Sequence, residues 1–356
     1  MAIARPKAQA AADPRPDLPR ILIVDDSVVA RAVIARAIEA SGRFVVAGAV
    51  PNADAALGFL RQNRVDAIIL DIEMPGVSGL AALPDVIEAG AGAKVLIVSS
   101  SCGEGAAATI EALALGAADT LVKPEAGGFT GGFSRAIGEK LSRLFELAPT
   151  GVAVLPAASS ATAAGFDIVA IGASTGGIHA LSLLLREIPA GFQLPILITQ
   201  HLPASFMPYF AAQVSVLAAR PCEVAADHLR VRPGRVIIAP GDAHMRVVAS
   251  GDGASIRLST EPARSGCLPS VDPMFESLAE LYGARALGVV LSGMGRDGSE
   301  GAQHMASRGA SVVVQDQASS VVWGMPGAVA ANGSANAILA PVDIGKLIAA
   351  RRRPGC

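Results

Sequence analysis

Aromatic side chains are scarce: ten Phe, two Tyr and one Trp among 356 residues. The 51% apolar fraction is supplied by Ala and Val rather than by rings, and it can fill two sizeable cores. Long apolar runs are also missing. Mean hydropathy is +0.47, but Gly, Asp or Pro breaks each run before the ~20 residues of a membrane span, which excludes direct membrane insertion. The four cysteines (Cys102, Cys222, Cys267 and Cys356) show no CxxC or metal-ligand spacing, and they read as reduced thiols of a cytoplasmic protein. A net charge of −2 leaves no global field toward DNA or anionic lipid, so no nucleic-acid partner is expected. Residues 1–19 mix Arg, Pro and Ala without an apolar stretch, so they read as a disordered leader and not as a secretory signal.

Strand and helix patterns alternate from Arg20. "RILIV", "FVVAGAV", "DAIIL", "KVLIVSS" and "DTLV" are short buried strands, and helical spacing lies between them. Ser27 is placed to cap the first helix. This predicts a doubly wound, five-stranded parallel sheet over residues 20–148. Residues 149–165 are small, uncharged and Pro/Gly/Ser-bearing, which suits a linker. From 166 to 351 the alternation resumes with "DIVAIG", "LPILITQ", "ALGVVLSG" and "ASVVVQD". Gly-Asp-Gly between alternating runs in "RVIIAPGDAHMRVVASGDGASIRLST" reads as an antiparallel hairpin, predicting a second doubly wound α/β unit with a mixed sheet. Residues 352–356, "RRPGC", read as a solvated basic tail.

Ligands of open parallel sheets bind beyond the carboxyl ends of the strands. In the first unit those ends carry Asp25 and Asp26, Asp71, Ser99 with Ser100, and Lys123 with Pro124. Clustered carboxylates call for a cation, and hard oxygen ligands favour Mg²⁺. A carboxylate can attack phosphorus once metal and lysine charges neutralise the incoming oxygens, and Asp71 is the central candidate. The unit resembles a two-component receiver domain. That resemblance implies phosphoryl transfer to Asp71 from a histidine kinase, with Mg²⁺ held by Asp26, Asp71 and the Glu73 backbone carbonyl, assisted by Asp25. It also implies a hydroxyl switch at Ser99 and phosphate binding by Lys123. Thr120 stands where receivers often carry an aromatic, a departure that bears on aromatic-gated output.

In the second unit, "IGASTGGIHAL" is a strand running into a glycine turn and a helix. Ser174 occupies the second glycine position of GxGxxG, so the dinucleotide fingerprint fails. Gly172 and Gly177 have P-loop spacing, but Ile178-His179 follows in place of Lys and Ser or Thr. G-x-S-x-G fits in full at Gly172, Ser174 and Gly176. Such an elbow exposes the serine hydroxyl at the sheet edge, and the helix N-terminus offers N–H groups to a developing oxyanion.

A serine nucleophile needs a base, and the base needs an orienter. His201 ends "LPILITQ" at the same sheet edge, and Asp297 follows "ALGVVLSG" through a glycine-rich loop. His244, after "APGD", is the rival base. His179 reads as packing or solvent-facing, His228 as a loop residue and His304 as helical. The order Ser174, His201, Asp297 departs from the Ser–acid–His order of α/β-hydrolases. A Ser174–Asp242–His304 set would restore that order only by drawing its base from a helix interior. Backbone N–H groups of Thr175 or Met294 are candidate oxyanion donors.

With "IGASTGG", "TQHLP", "APGDAHM", "PSVDPMF", "SGMGRDG" and "QDQASSVVWGMP" in that order, the second unit resembles the catalytic domain of chemotaxis protein-glutamate methylesterases, the CheB family. The resemblance implies hydrolysis of glutamate γ-methyl esters on methylated chemoreceptors, with methanol released and receptor glutamines often deamidated. It implies a chemotaxis-type histidine kinase as phosphodonor, no cofactor for the ester hydrolysis, and an unphosphorylated receiver lying over the esterase cleft.

Overall fold

The computed structural model describes residues 18–99, 103–123, 131–145, 165–251 and 253–351. Most of the leader, nearly all of the linker 149–165 and the tail lie outside them, as do Ser100, Cys102, Pro124 and Cys356.

The N-terminal unit alternates β1 (Arg20–Val24), α1 (Val28–Ala40), β2 (Val45–Val50), α2 (Ala53–Leu60), β3 (Ala67–Asp71), α3 (Gly79–Gly90), β4 (Lys94–Ser99), α4 (Gly103–Leu115), β5 (Asp119–Val122) and α5 (Gly131–Leu144). Its five strands are all parallel, in the order β2-β1-β3-β4-β5. Both faces are covered by helices, so the strands read as continuous apolar runs rather than alternating ones. Ser27 caps α1 by accepting from the Ala30 N–H, as its sequence position predicts.

The C-terminal unit runs β6 (Ile168–Ala173), α6 (Gly177–Arg186), β7 (Ile196–Gln200), α7 (Met207–Ala218), β8 (Cys222–Val224) and β9 (Val236–Ile238). It continues through β10 (His244–Ser250), β11 (Gly253–Ser259), α8 (Val271–Tyr282), β12 (Ala286–Val290), α9 (Ser299–Ser307), β13 (Ser311–Gln315), α10 (Gly324–Ala331), β14 (Ala337–Leu339) and α11 (Pro341–Ala349). The main sheet has seven strands in the order β14-β13-β12-β6-β7-β9-β8. Every pairing in it is parallel.

The expected mixed sheet is therefore corrected. The hairpin β10–β11 exists, closed by Ser250 opposite Gly253, but it forms its own two-stranded sheet packed against α8. The segment read as one hairpin splits, because "VII" (β9) joins the main sheet beside β7. Such a split is what a parallel sheet allows, since β9 enters through a crossover and the hairpin lies outside the main sheet, with β11 bridged on its other edge by the segment 228–231.

The two units share a continuous apolar cluster. Ile110, Leu113, Ala114 and Ala117 of α4 and the turn after it pack with Ile178 and Leu181 of α6 and with Leu202 and Phe206 near α7. Within the C-terminal unit α11 closes on α6 where Gly345 lies against the Leu184 carbonyl and the Glu187 side chain, with no room for a Cβ. Gly345→Ala should destabilise the protein by roughly 1–3 kcal/mol, read as a lowered midpoint in denaturant unfolding, because the helices must separate.

Candidate active site

Strands β12, β6 and β7 are neighbours and point the same way, so the loops after their carboxyl ends meet at one edge. Those loops carry Asp297, Ser174 and His201. The turn after β6 is tight. A Cβ on Gly172 would fall 2.5 Å from Val271 Cγ1, and Gly176 has φ +76° with Val321 Cβ 2.6 Å from where its own Cβ would be. The Ser174 N–H donates to Ser292 O at 3.0 Å, which ties the elbow to the end of β12. Gln200 Nε2 donates to Ser174 O at 3.0 Å, which ties it to β7. Gly172 is thus required by close approach, and Gly176 by close approach and backbone conformation together.

His201 Nε2 and Asp297 Oδ2 lie 2.8 Å apart. The ring donates from Nε2, which leaves Nδ1 as the nitrogen for the serine proton. Ser174 and His201 line one cavity of about 380 Å³, together with Gln200, Met294, Ser265 and Cys267. Among the described residues Ser174 Oγ makes no hydrogen bond, so the structure joins the candidate base and orienter directly and brings the candidate nucleophile to the same cavity. The N–H groups of Thr175 and Met294 are likewise uncommitted among the described residues, as an oxyanion site requires.

Asp297 is 1% exposed, and such burial opposes a charged carboxylate. The donors around it reverse that. His201 Nε2 and the Val271 N–H meet Oδ2, each at 2.8 Å, and Ser270 Oγ donates to Oδ1 at 2.6 Å. Burial pushes the carboxyl up, but the hydrogen bond and charge of His201, then Ser270 and Val271, bring it down to about 2. The acid facing it behaves oppositely. Asp272 is pushed up to about 7, first by burial and further by the charge of Asp297, although the Gly301 N–H donates to it at 2.7 Å.

The rival base falls away on geometry. His244 accepts the Ser270 N–H at Nδ1 (2.9 Å), and its Nε2 lies 2.8 Å from Glu261 O. With both nitrogens engaged and the ring buried, it supports Ser270 from behind Asp297 and does not reach the cleft. His304 pairs with Glu280 at 2.7 Å on α9, away from the cleft, so the Asp242–His304 alternative does not assemble. His228 sits on an exposed loop. His179, read as packing or solvent-facing, packs against the N-terminal unit, with Nδ1 3.0 Å from Ala114 O.

Ser270, Gln200 and Ser292 were not singled out by sequence reasoning. Ser270 stands in the quoted "PSVDPMF", but a serine before a helix carries no visible sign of its target. Ser292 Oγ donates to Thr175 O at 2.8 Å and accepts the Val322 N–H at 3.1 Å, a cross-brace legible only from the fold.

In the N-terminal unit Lys123 Nζ lies 2.6 Å from Asp71 Oδ2 and 2.9 Å from Asp25 Oδ2. Oxygens of Asp25, Asp26 and Asp71 fall within 4.8 Å of one another. Burial pushes the Asp71 carboxyl up against the pull of Lys123. Burial works to lower the Lys123 ammonium, but its contacts with Asp71 and Asp25 outweigh that and raise it. Ser99 Oγ lies 2.5 Å from Thr109 Oγ1, which itself donates to Gly105 O at 2.7 Å, so the Ser99 hydroxyl is turned toward α4. The Thr120 hydroxyl is buried and, among the described residues, has no partner.

The chain is similar to known proteins along most of its length. Residues 169–348 match the family model described as CheB methylesterase, and residues 21–128 match the response regulator receiver domain. A protein of Caulobacter vibrioides named protein-glutamate methylesterase/protein-glutamine glutaminase 2 is 41% identical, covering 94% of this chain and 99% of its own. A protein-glutamate methylesterase/protein-glutamine glutaminase of Maricaulis maris is 36% identical over 97% of this chain and 98% of its own. The crystal structure of the Thermotoga maritima CheB methylesterase catalytic domain superposes with a TM-score of 0.51 at 32% identity, covering 52% of this chain and 99% of that one. The chain belongs to the CheB methylesterase family, with a response regulator receiver domain ahead of the catalytic one.

Proposed function

We propose that this protein hydrolyses glutamate γ-methyl esters on chemoreceptors, releasing methanol, and deamidates receptor glutamines at the same site. The observation that carries the reading is the 2.8 Å His201–Asp297 pair beside the G-x-S-x-G serine. Ser174 Oγ attacks the ester carbonyl while His201 Nδ1 takes its proton. Asp297 stabilises the imidazolium through Nε2, and the Thr175 and Met294 N–H groups receive the oxyanion. The proton then passes to the departing methoxide, which leaves as methanol. Water attacks the acyl-serine by the same proton route, freeing the glutamate carboxylate and restoring Ser174. An amide is handled alike, with ammonia leaving.

The N-terminal unit supplies control. The chain 20–148 acts as receiver and 166–351 as catalytic domain, joined by 149–165. Asp71 accepts the phosphoryl group from a histidine kinase. The hard carboxylate oxygens of Asp25, Asp26 and Asp71 fit Mg²⁺, with the Glu73 carbonyl as a further ligand, and the ion would neutralise phosphoryl charge there. Lys123 is placed for the phosphoryl oxygens. No helix among the described residues is long and apolar enough to cross a membrane, which fits work in the cytoplasm on receptor domains that face it.

In this structure the receiver roofs the cleft. Leu113, Ala117, Ala118, Asp119, Lys140 and Arg143 line the same cavity as Ser174. The Gly176 N–H donates to Ala118 O at 2.9 Å, and Thr175 Oγ1 donates to Asp119 Oδ2 at 3.2 Å. Asp119 also pairs with Lys140 at 2.8 Å. Strand β5 has Asp119 at one end, and Lys123 follows the other. Phosphorylation that draws on Lys123 therefore acts on the element that holds the roof, and a bias of about 1–3 kcal/mol suffices for such coupling.

Three outcomes test this. Ser174→Ala should abolish methanol release from methylated receptor membranes while phosphorylation at Asp71 proceeds, and persistent release would remove Ser174 as nucleophile. Asp119→Ala should raise basal methanol release without phosphodonor by roughly two- to tenfold, since one interdomain hydrogen bond and one ion pair are lost; a lower rate would contradict the roof.

The third uses pH. Asp297, at about 2 against its usual 3.8, stabilises the fold above about pH 4, and that contribution is lost as pH falls toward 2. Ser270→Ala removes a donor, so the carboxyl rises and acid unfolding should begin at higher pH. The kcat should fall on the order of tenfold with KM nearly unchanged. An acid limb identical to that of the unaltered protein would show that Ser270 does not hold the charge.

A further inference from the structure

One side chain in the cleft has no part in the hydrolytic steps. Cys267 lies in the loop between β11 and α8, half-buried and unbridged, and its thiol faces the cavity shared by Ser174 and His201. Its Sγ, a ring nitrogen of His201 and a carboxylate oxygen of Asp297 all fall within 4.8 Å of one another. Thiolate, imidazole and carboxylate together are the ligand types that zinc prefers, with water from the cavity as the fourth. A zinc tetrahedron sets its ligand atoms about 3.3–3.6 Å apart, so separations of at most 4.8 Å close with a shift no larger than about 1.5 Å. Gly266, at φ +72°, precedes Cys267, whose N–H makes only a 3.3 Å bond to Ser265 Oγ.

We propose that Cys267, His201 and Asp297 form a binding site for a thiophilic divalent cation, zinc foremost, and that its occupancy switches the hydrolase off. The inhibition follows from the chemistry of a neutral imidazole, which has one lone pair. A cation on Nδ1 takes that pair directly. A cation on Nε2 displaces the proton that Asp297 accepts, and the proton moves to Nδ1. Either way no nitrogen remains to receive the Ser174 proton.

Charge also closes. The cation's two positive charges meet one negative charge from Asp297 and one from the Cys267 thiolate, so the buried assembly is neutral and its desolvation is offset. Binding releases the thiol proton to solvent. Because the cation is held by the thiolate and binding releases a proton, affinity should tighten as pH rises. Cys222 offers an internal contrast. It is also an unbridged thiol, pushed up to about 12 by burial and by Glu223, but it belongs to no such ligand group among the described residues.

The switch rests on the roles given above to Ser174 and His201, whereas the metal site itself does not, so the test reads both. Full-length protein is titrated with Cd²⁺, following the ultraviolet thiolate-to-cadmium absorption, and methanol release is measured in zinc-buffered solutions. The site predicts one Cd²⁺ per chain, with a band lost in Cys267→Ser and retained in Cys222→Ser, and affinity at least tenfold weaker in His201→Gln. It also predicts zinc inhibition reversed by chelator, with at least tenfold more zinc needed in Cys267→Ser relative to that variant's own metal-free rate. A band that survives Cys267→Ser, or cadmium affinity unchanged in His201→Gln, would overturn the site. A Cys267-dependent band with methanol release indifferent to zinc would overturn the switch. The same band in a protein that releases no methanol even without metal would leave the site standing and remove the hydrolase reading.

Discussion

A buried negative charge governs the architecture of the cleft. Asp297 is enclosed yet held as a carboxylate by three donors: His201 just after β7, the Val271 N–H at the start of α8, and the Ser270 hydroxyl. An uncompensated carboxylate at that depth would take up a proton. A protonated Asp297 could no longer stabilise an imidazolium, and His201 would lose its orientation. The supports extend outward, since His244 fixes the Ser270 backbone and Glu261 in turn fixes His244. The hairpin beginning at His244 is therefore more than a surface ornament, because it anchors the rear of the charge site.

Much of this was legible because parallel strands write their function at their tips. Ser174, His201 and Asp297 each follow an apolar run, and the three runs prove to be adjacent. The five strands of the receiver were clear for the same reason. Strands of three residues were not: "CEV" and "AIL" are too short to show a period, and both lie at the sheet's edges. The mixed-sheet expectation failed because one apolar segment held both a parallel strand and a complete hairpin, and nothing local separates them. Ser270 and Gln200 escaped notice, and Cys267 read only as a reduced thiol, because what they face lies across 26 or more residues of chain, which no local pattern encodes.

The two units meet where each carries its chemistry. The receiver sets α4, the start of β5 and α5 over the cleft, and its Ala118 carbonyl takes an N–H of the serine elbow itself. The Asp71–Lys123 cluster and the cavity of Ser174 are thus joined by a strand of four residues, Asp119–Val122. The Ser99 hydroxyl, turned toward Thr109 of α4, adds a second line from the phosphoacceptor edge to the covering helix. Both lines bear on α4 and β5, the elements whose displacement would open the cavity.

The central claim is that Asp297, through His201, makes one alcohol in this chain reactive. Its most direct measurement is the rate at which a small fluorophosphonate labels the protein, with the modified residue located by peptide mass. The account predicts a single label on Ser174, slowed by orders of magnitude in His201→Gln and in Asp297→Asn. Labelling elsewhere, or labelling of Ser174 at the same rate in both variants, would contradict it.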